Sequence, residues 1–170
     1  MRRKINKRLA KELLEMMRVD RKIRLRFIAG RGEMNFELDR KHVQRLREII
    51  RKYGWLTKSL VGRRASHAAW LITQHSPSLK FQRKSLKEME KIYQENKNEI
   101  NPANIAFLKD RILIKEKKLQ IFGTQFQRNK KGELEPFPIK DREGLSKRRR
   151  KYGLPTLAQN TREINQAYGK

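Results

Sequence analysis

The sequence predicts a mainly α-helical single domain, an irregular bundle of five or six helices with a short β-hairpin near residues 119–139. Through most of the chain apolar residues recur at three- and four-residue steps, the spacing that gathers them on one face of a helix. One stretch departs from that period. Leu119 to Phe126 (LQIFGTQF) alternates β-formers around Gly-Thr-Gln and precedes a Lys131-Gly132 turn. At 170 residues, without internal repeats or low-complexity linkers, the chain reads as one domain over 1–170, with the basic segment 140–170 peripheral to it.

The first helix covers residues 5–28, with Leu9, Leu13, Met16, Ile23 and Phe27 on its apolar stripe. Asp20 falls on the same stripe where an apolar residue is due, and Arg24, four residues on, is placed to pair with it. A buried carboxylate must be paired or shift its pKa, which makes Asp20 a functional candidate. The plainer alternative is an ion pair at the edge of the stripe. Gly30 and Gly32 end this helix. Asp39 reads as the N-cap of a second one over about 40–52, with Val43, Leu46, Ile49 and Ile50 inward and Gly54 as its stop. His42, in the first turn, reads as exposed and without a role.

The stretch Gly54 to Ser76 (GWLTKSLVGRRASHAAWLITQHS) holds both tryptophans and two of the three histidines. Its loop turns Trp55 and Val61 inward, and Gly62 or Ser59 opens a third helix. Ala65, Ala68 and Ala69 let a helix or ligand approach that backbone closely. His75 shares a face with Ala68, Leu71 and Ile72, and Ser76-Pro77 breaks the helix. A fourth helix over about 78–96 presents Leu79, Leu86, Met89 and Tyr93. A fifth runs from Asn101-Pro102 to about Lys117, with Ile105, Leu108 and Ile112 inward and Asp110 and Arg111 off that stripe. Pro136 and Pro138 restrict the hairpin's return arm to an irregular edge. The run Lys147 to Lys151 (KRRRK) and a Gly153-Leu154-Pro155 break precede a last helix over about 156–168.

Charge narrows the partners. The chain has 44 Lys+Arg against 18 Asp+Glu, a net +26, which favours polyanions. Nucleic acid is therefore one class of partner, through a basic surface that includes Lys147 to Lys151. The alternative is a solvated surface with no such role, and the low aromatic content of 8% argues against a dedicated single-strand binder. The absence of cysteine excludes a disulfide scaffold and thiolate metal sites. No apolar run nears the roughly 18–20 residues of a membrane span, and the basic N-terminus lacks a secretory apolar core. A cytoplasmic protein with no membrane partner is expected.

Phosphate-loop, dinucleotide-binding, HExxH and nucleophile-elbow motifs are absent. His67 and His75 stand eight apart, about 80° off a shared helix face, so no metal and no cofactor is expected. What remains is a scattered polar set in apolar or tight places: Asp20, Gln74, His75, Asp110, Arg111, Thr124 and Gln125. An imidazole oriented by a carboxylate can act as base or acid near neutrality. Asp20 and Asp110 are the candidate orienters. Gly123-Thr124-Gln125 offers backbone and amide donors to a ligand, and Arg111 or Arg63 can hold an anionic group.

In the same order along the chain stand Gly54-Trp55-Leu56-Thr57, Val61-Gly62, Ala68-Ala69-Trp70-Leu71, Gln74-His75, Asp110-Arg111, Phe122-Gly123-Thr124-Gln125 and Gly153-Leu154-Pro155. With Val19-Asp20-Arg21 and Arg24, this set resembles a bacterial domain family of unknown function that carries these motifs over most of its length. Leu56 replaces the family's usual proline, His67 stands at a position not usually histidine, and the strong positive charge is peculiar to this chain. The resemblance supplies no activity. It implies that Gln74-His75, Asp110-Arg111 and Gly123-Thr124-Gln125 belong to one constellation.

These readings converge on an expected pocket between the third helix, the fifth helix and the hairpin turn. It would bind, and hydrolyse or transfer, a small polar or anionic ligand. His75 is the base or acid, Asp110 or Asp20 orients it, Arg111 holds the ligand, and Gln125 positions it, with Gln74 and Thr124 also on the ligand. A nucleic-acid binder and a protein-interaction module are the two other classes.

Overall fold

The computed structural model describes residues 5–168. The chain divides into two compact units, Met1–Asn101 and Pro102–Lys170. The first unit holds α1 (Lys7–Ile28), α2 (Phe36–Tyr53), the single turn α3 (Lys58–Val61), α4 (Arg63–His75) and α5 (Leu79–Glu95). The second holds α6 (Pro102–Lys115), β1 (Phe126–Arg128), β2 (Leu134–Pro136), the short α7 (Leu145–Lys151) and α8 (Leu157–Tyr168). The described chain is thus mainly α with one small hairpin, as its periodicity predicts. No helix among the described residues is long and apolar enough to cross a membrane.

In the first unit α1 and α2 both pack on α4. The small side chains of Ala65, Ala68 and Ala69 are at most 1% exposed, and they let the α1 stripe of Leu9, Leu13 and Met16 come close to the α4 backbone. Val43, Leu46 and Ile49 of α2 complete this core together with Val61, Ile72 and Phe81. Each fully buried leucine here contributes about 1.5–3 kcal/mol. Leu56 is one of them. It occupies the apex of a tight turn in which the Thr57 amide donates to the Trp55 carbonyl at 3.0 Å, so the leucine forms the turn and fills the core at once.

Side chains cap four of these helices. Asn6, Asn35, Thr57 and Ser78 accept from the amides of Leu9, Leu38, Leu60 and Phe81. The α2 cap corrects the expectation for Asp39. The helix begins earlier, at Phe36, and Asn35 does the capping, which leaves the Asp39 carboxylate in the first turn and available to a neighbour. At the other end of α4, Gln82 of α5 is fully buried, and its amide donates to the carbonyls of Thr73, Gln74 and Ser76 at 3.1, 3.0 and 3.2 Å. The Thr73 carbonyl also accepts from the Ser76 amide at 3.1 Å, so the end of α4 is closed by both backbone and side chain. One side chain from α5 therefore helps fix the turn that bears His75.

The second unit holds the expected hairpin within 119–139, with shorter arms. The alternating stretch from Leu119 does not form the first strand. The paired strands are Phe126–Arg128 and Leu134–Pro136, antiparallel, with Gln127 opposite Glu135. Before them Gln120 makes only an isolated parallel bridge to Ile139. The reason is competition for donors. The amides of Ile121, Phe122 and Thr124 are taken by Asp110 of α6, and that of Gln125 by the Gln120 side chain, so no row of donors remains for a partner strand. Asn165 of α8 continues the sheet edge by bonding both the amide and the carbonyl of Leu134, at 2.8 and 2.7 Å.

Gly123 sits in this irregular segment at φ +68, and a Cβ there would lie 2.9 Å from Ile139 Cδ1 and 3.0 Å from Leu157 Cδ1. Gly132 also has positive φ, at +82, but its added Cβ would meet nothing within 4 Å. Gly123→Ala is expected to cost about 2–4 kcal/mol in urea denaturation, backbone strain plus clash, and Gly132→Ala about 1 kcal/mol. Equal losses would show that backbone conformation alone fixes Gly123.

Candidate functional site

The seven residues singled out by sequence fall in both units. Asp20, Gln74 and His75 belong to the first, and Asp110, Arg111, Thr124 and Gln125 to the second.

In the first unit Asp20 and His75 meet. The Asp20 side chain is buried one heptad after Leu13, and His75 Nδ1 lies 2.9 Å from both of its carboxylate oxygens. Arg24, one turn along α1, donates from Nε to Asp20 Oδ1 at 3.1 Å. Its Nη2 reaches both oxygens of Asp39 on α2, each at 2.9 Å. The result is a hydrogen-bonded chain, Asp39–Arg24–Asp20–His75, drawn from α2, α1 and α4. Burial pushes the Asp20 carboxyl up, but the hydrogen bond and charge of His75, with Arg24, outweigh it and hold the group below its ordinary 3.8. Eighteen per cent of the His75 side chain stays accessible against 1% for Asp20, so the imidazole is partly open and the carboxylate is closed off. Nδ1–H donation to the carboxylate leaves Nε2 with a lone pair in the neutral ring.

His42 is the functional candidate that sequence reasoning missed. Because α2 starts at Phe36, His42 lies in its second turn and is half-buried, not exposed in a first turn as expected. Its Nδ1 is buried with no hydrogen-bond partner among the described residues. Burial pushes its pKa below the ordinary 6.5, while the Asp20 and Asp39 carboxylates pull it back. A signal was present: Asp39 and His42 stand one heptad before Leu46 and Ile49. Gln74, one residue before His75, is 3% exposed, and its Oε1 likewise lacks a partner among the described residues.

In the second unit Asp110 is fully buried and saturated. It accepts from the amides of Ile121, Phe122 and Thr124 and from the Thr124 hydroxyl, at 2.8–3.1 Å. Arg149, 1% exposed, holds the same segment from the other side. It donates from Nη1 to the carbonyls of Phe122 and Gly123, from Nε to Pro155, and from Nη2 to Asn160 Oδ1. Burial lowers the Arg149 pKa and the Asp110 charge opposes that shift. The donors of Thr124 are thus spent on Asp110, and the Gln125 amide on Gln120. Gln125 Nε2 donates to Thr124 Oγ1 at 3.2 Å. Arg111 is half-buried on α6. Gly123 does permit a close approach, but the atoms that approach it are Ile139 and Leu157. Of the basic run, Arg148 is also engaged, by Asp141 and by the carbonyls of Ile121 and Lys140. Among the described residues no group of three or more His, Cys, Asp or Glu could hold a metal ion.

The first-unit cluster predicts a two-step loss of stability in acid. The folded protein refuses a proton at His42 that the unfolded chain accepts, so stability falls as pH drops below about 6.5. Asp20 contributes stability that is present above 3.8 and is lost as pH falls through its lower folded value. Urea denaturation across pH is expected to show the first step flattened in His42→Leu and the second removed in Asp20→Asn. At neutral pH Asp20→Asn should cost about 2 kcal/mol, because charged hydrogen bonds to Arg24 and His75 are weakened while Asp39 still neutralises Arg24. A constant gap between Asp20→Asn and the wild type down to strong acid would contradict this.

No curated protein and no solved structure matches the chain. A family model described as a family of unknown function (DUF6624) matches residues 7–170. The chain belongs to that family of unknown function.

Proposed function

We propose that the first unit carries an acid–base site in which His75 is the proton-transferring group and Asp20 its orienter, acting on a small polar or anionic ligand by hydrolysis or group transfer. The observation that carries this reading is the pairing itself. A carboxylate withdrawn from water and held by Arg24 grips one imidazole nitrogen, while the ring remains partly accessible. That arrangement fixes tautomer and ring orientation, as a general base requires. Asp39 is the positioning residue for Arg24, and the unpaired Gln74 Oε1 is an acceptor suited to a ligand donor. The net charge of +26 favours an anionic ligand. Arg111, Thr124 and Gln125 have weaker support as ligand contacts, since the Thr124 donors already serve Asp110.

Nucleic-acid binding through the KRRRK run has less support, because two of its arginines are bound to the second unit's own carbonyls and carboxylates.

The test combines activity and binding. p-Nitrophenyl acetate, phosphate and phosphodiester substrates are offered to wild type, His75→Ala and Asp20→Asn, and the His75 ring signals are followed by NMR with acetate and phosphate. Hydrolysis should fall about 100-fold or more in His75→Ala and less in Asp20→Asn. With acetate or phosphate bound, the His75 ring signals should shift in wild type and not in Asp20→Asn. Turnover equal in all three proteins, or ring signals indifferent to every probe, would make the pair structural.

A further inference from the structure

Four cations of the first unit face one cleft. Arg47 and Arg51 stand four residues apart on α2, Lys80 and Lys84 four apart on α5, and all four line a cleft of about 660 Å³. Like charges at that spacing destabilise a helix, and here two such pairs are set on facing helices. Glu88 is the one carboxylate lining the cleft, and none of the four cations forms an ion pair with it. The cleft holds four cations to one acid, against a chain-wide balance of 44 to 18.

Arg47 is already held in place. Its Nη2 donates to Ser78 Oγ at 2.9 Å, and its guanidinium lies 5.0 Å over the buried Phe81 ring. Its remaining donors keep a fixed direction, as a planar fork for phosphate oxygens needs. Like Arg47, Arg51, Lys80 and Lys84 are exposed, and they add positive charge around it. The volume lies within the range of small-molecule sites.

We propose that this cleft binds phosphate groups, either those of a free polyphosphate or nucleotide or those of a nucleic-acid backbone. Arg47 is the fixed anchor, and Arg51, Lys80 and Lys84 neutralise the remaining charge. The site is independent of His75.

The experiment titrates the full chain with pyrophosphate and with a short oligothymidine at one physiological ionic strength, using calorimetry and backbone NMR. Arg51→Glu and Lys84→Glu are compared with Lys22→Glu, an equal change of charge on the exposed side of α1. All three substitutions are at exposed positions, and circular dichroism checks that each folds. The two cleft variants should weaken binding roughly tenfold or more each, and Lys22→Glu less than about twofold. NMR shifts should centre on 47–54 and 80–88. Tight pyrophosphate binding identifies a free polyphosphate as the ligand. Tight oligothymidine binding with weak pyrophosphate binding identifies the nucleic-acid backbone. If Lys22→Glu loses as much as the cleft variants, or neither probe binds the wild type, the proposal is overturned.

Discussion

A carboxylate taken out of water has to be neutralised where it lies, because the desolvation cost is several kcal/mol and nothing distant repays it. This chain accepts that condition twice, at Asp20 and at Asp110, and both units are built around the answer. At Asp20 the compensation is ionic and shared: a guanidinium on one side, an imidazole on the other, and a second carboxylate behind the guanidinium. At Asp110 it is a ring of neutral donors supplied mostly by backbone. The chemical consequences differ. A carboxylate bound to an imidazole leaves the second ring nitrogen outside the pair, and the proposed acid–base site draws on that nitrogen. At Asp110 both carboxylate oxygens already accept from backbone amides or the Thr124 hydroxyl.

The helix that carries His75 owes its position to features that are individually small. Three alanines let α1 approach, so Asp20 arrives within hydrogen-bond reach of a residue 55 positions away. Gln82 closes the carbonyl end of the same helix. The imidazole is therefore constrained from both sides, by its carboxylate and by the turn it stands on. Such constraint distinguishes this imidazole from a freely turning surface histidine.

Sequence made visible what depends on neighbours along the helix. The intrusion of Asp20 on the stripe of Leu9, Leu13 and Met16, the stop at Ser76-Pro77, and the pairing of Asp20 with Arg24 are all local facts. What remained hidden depends on partners far off in the chain. Asp39 looks like a cap because any aspartate before an amphipathic run does, and only the position of Arg24 gives it another task. LQIFGTQF has strand composition, but composition does not reveal that Asp110 and Gln120 will claim its amides. Arg149 sits in a run of basic residues that looks solvated, and burial of a guanidinium leaves no mark on the period. His42 was misread through a boundary error of a few residues, which changes the helical turn it occupies.

The manner in which residues 120–125 are held has a consequence for how this protein can change. Asp110, Gln120 and Arg149 grip main-chain atoms, which every residue type except proline presents alike. Within the segment the buried side chains of Gln120 and Phe122 are also fixed, by the bonds Gln120 makes and by the cluster Phe122 joins. Gly123 is tied to its identity by space and conformation, and Thr124 by its hydroxyl. At Gln125, half-buried, the side chain makes one hydrogen bond, to Thr124, so its outward chemistry is open to replacement while the backbone trace stays where it is. A frame that reads the peptide unit at such a position lets the surface there diversify without asking the fold to be found again.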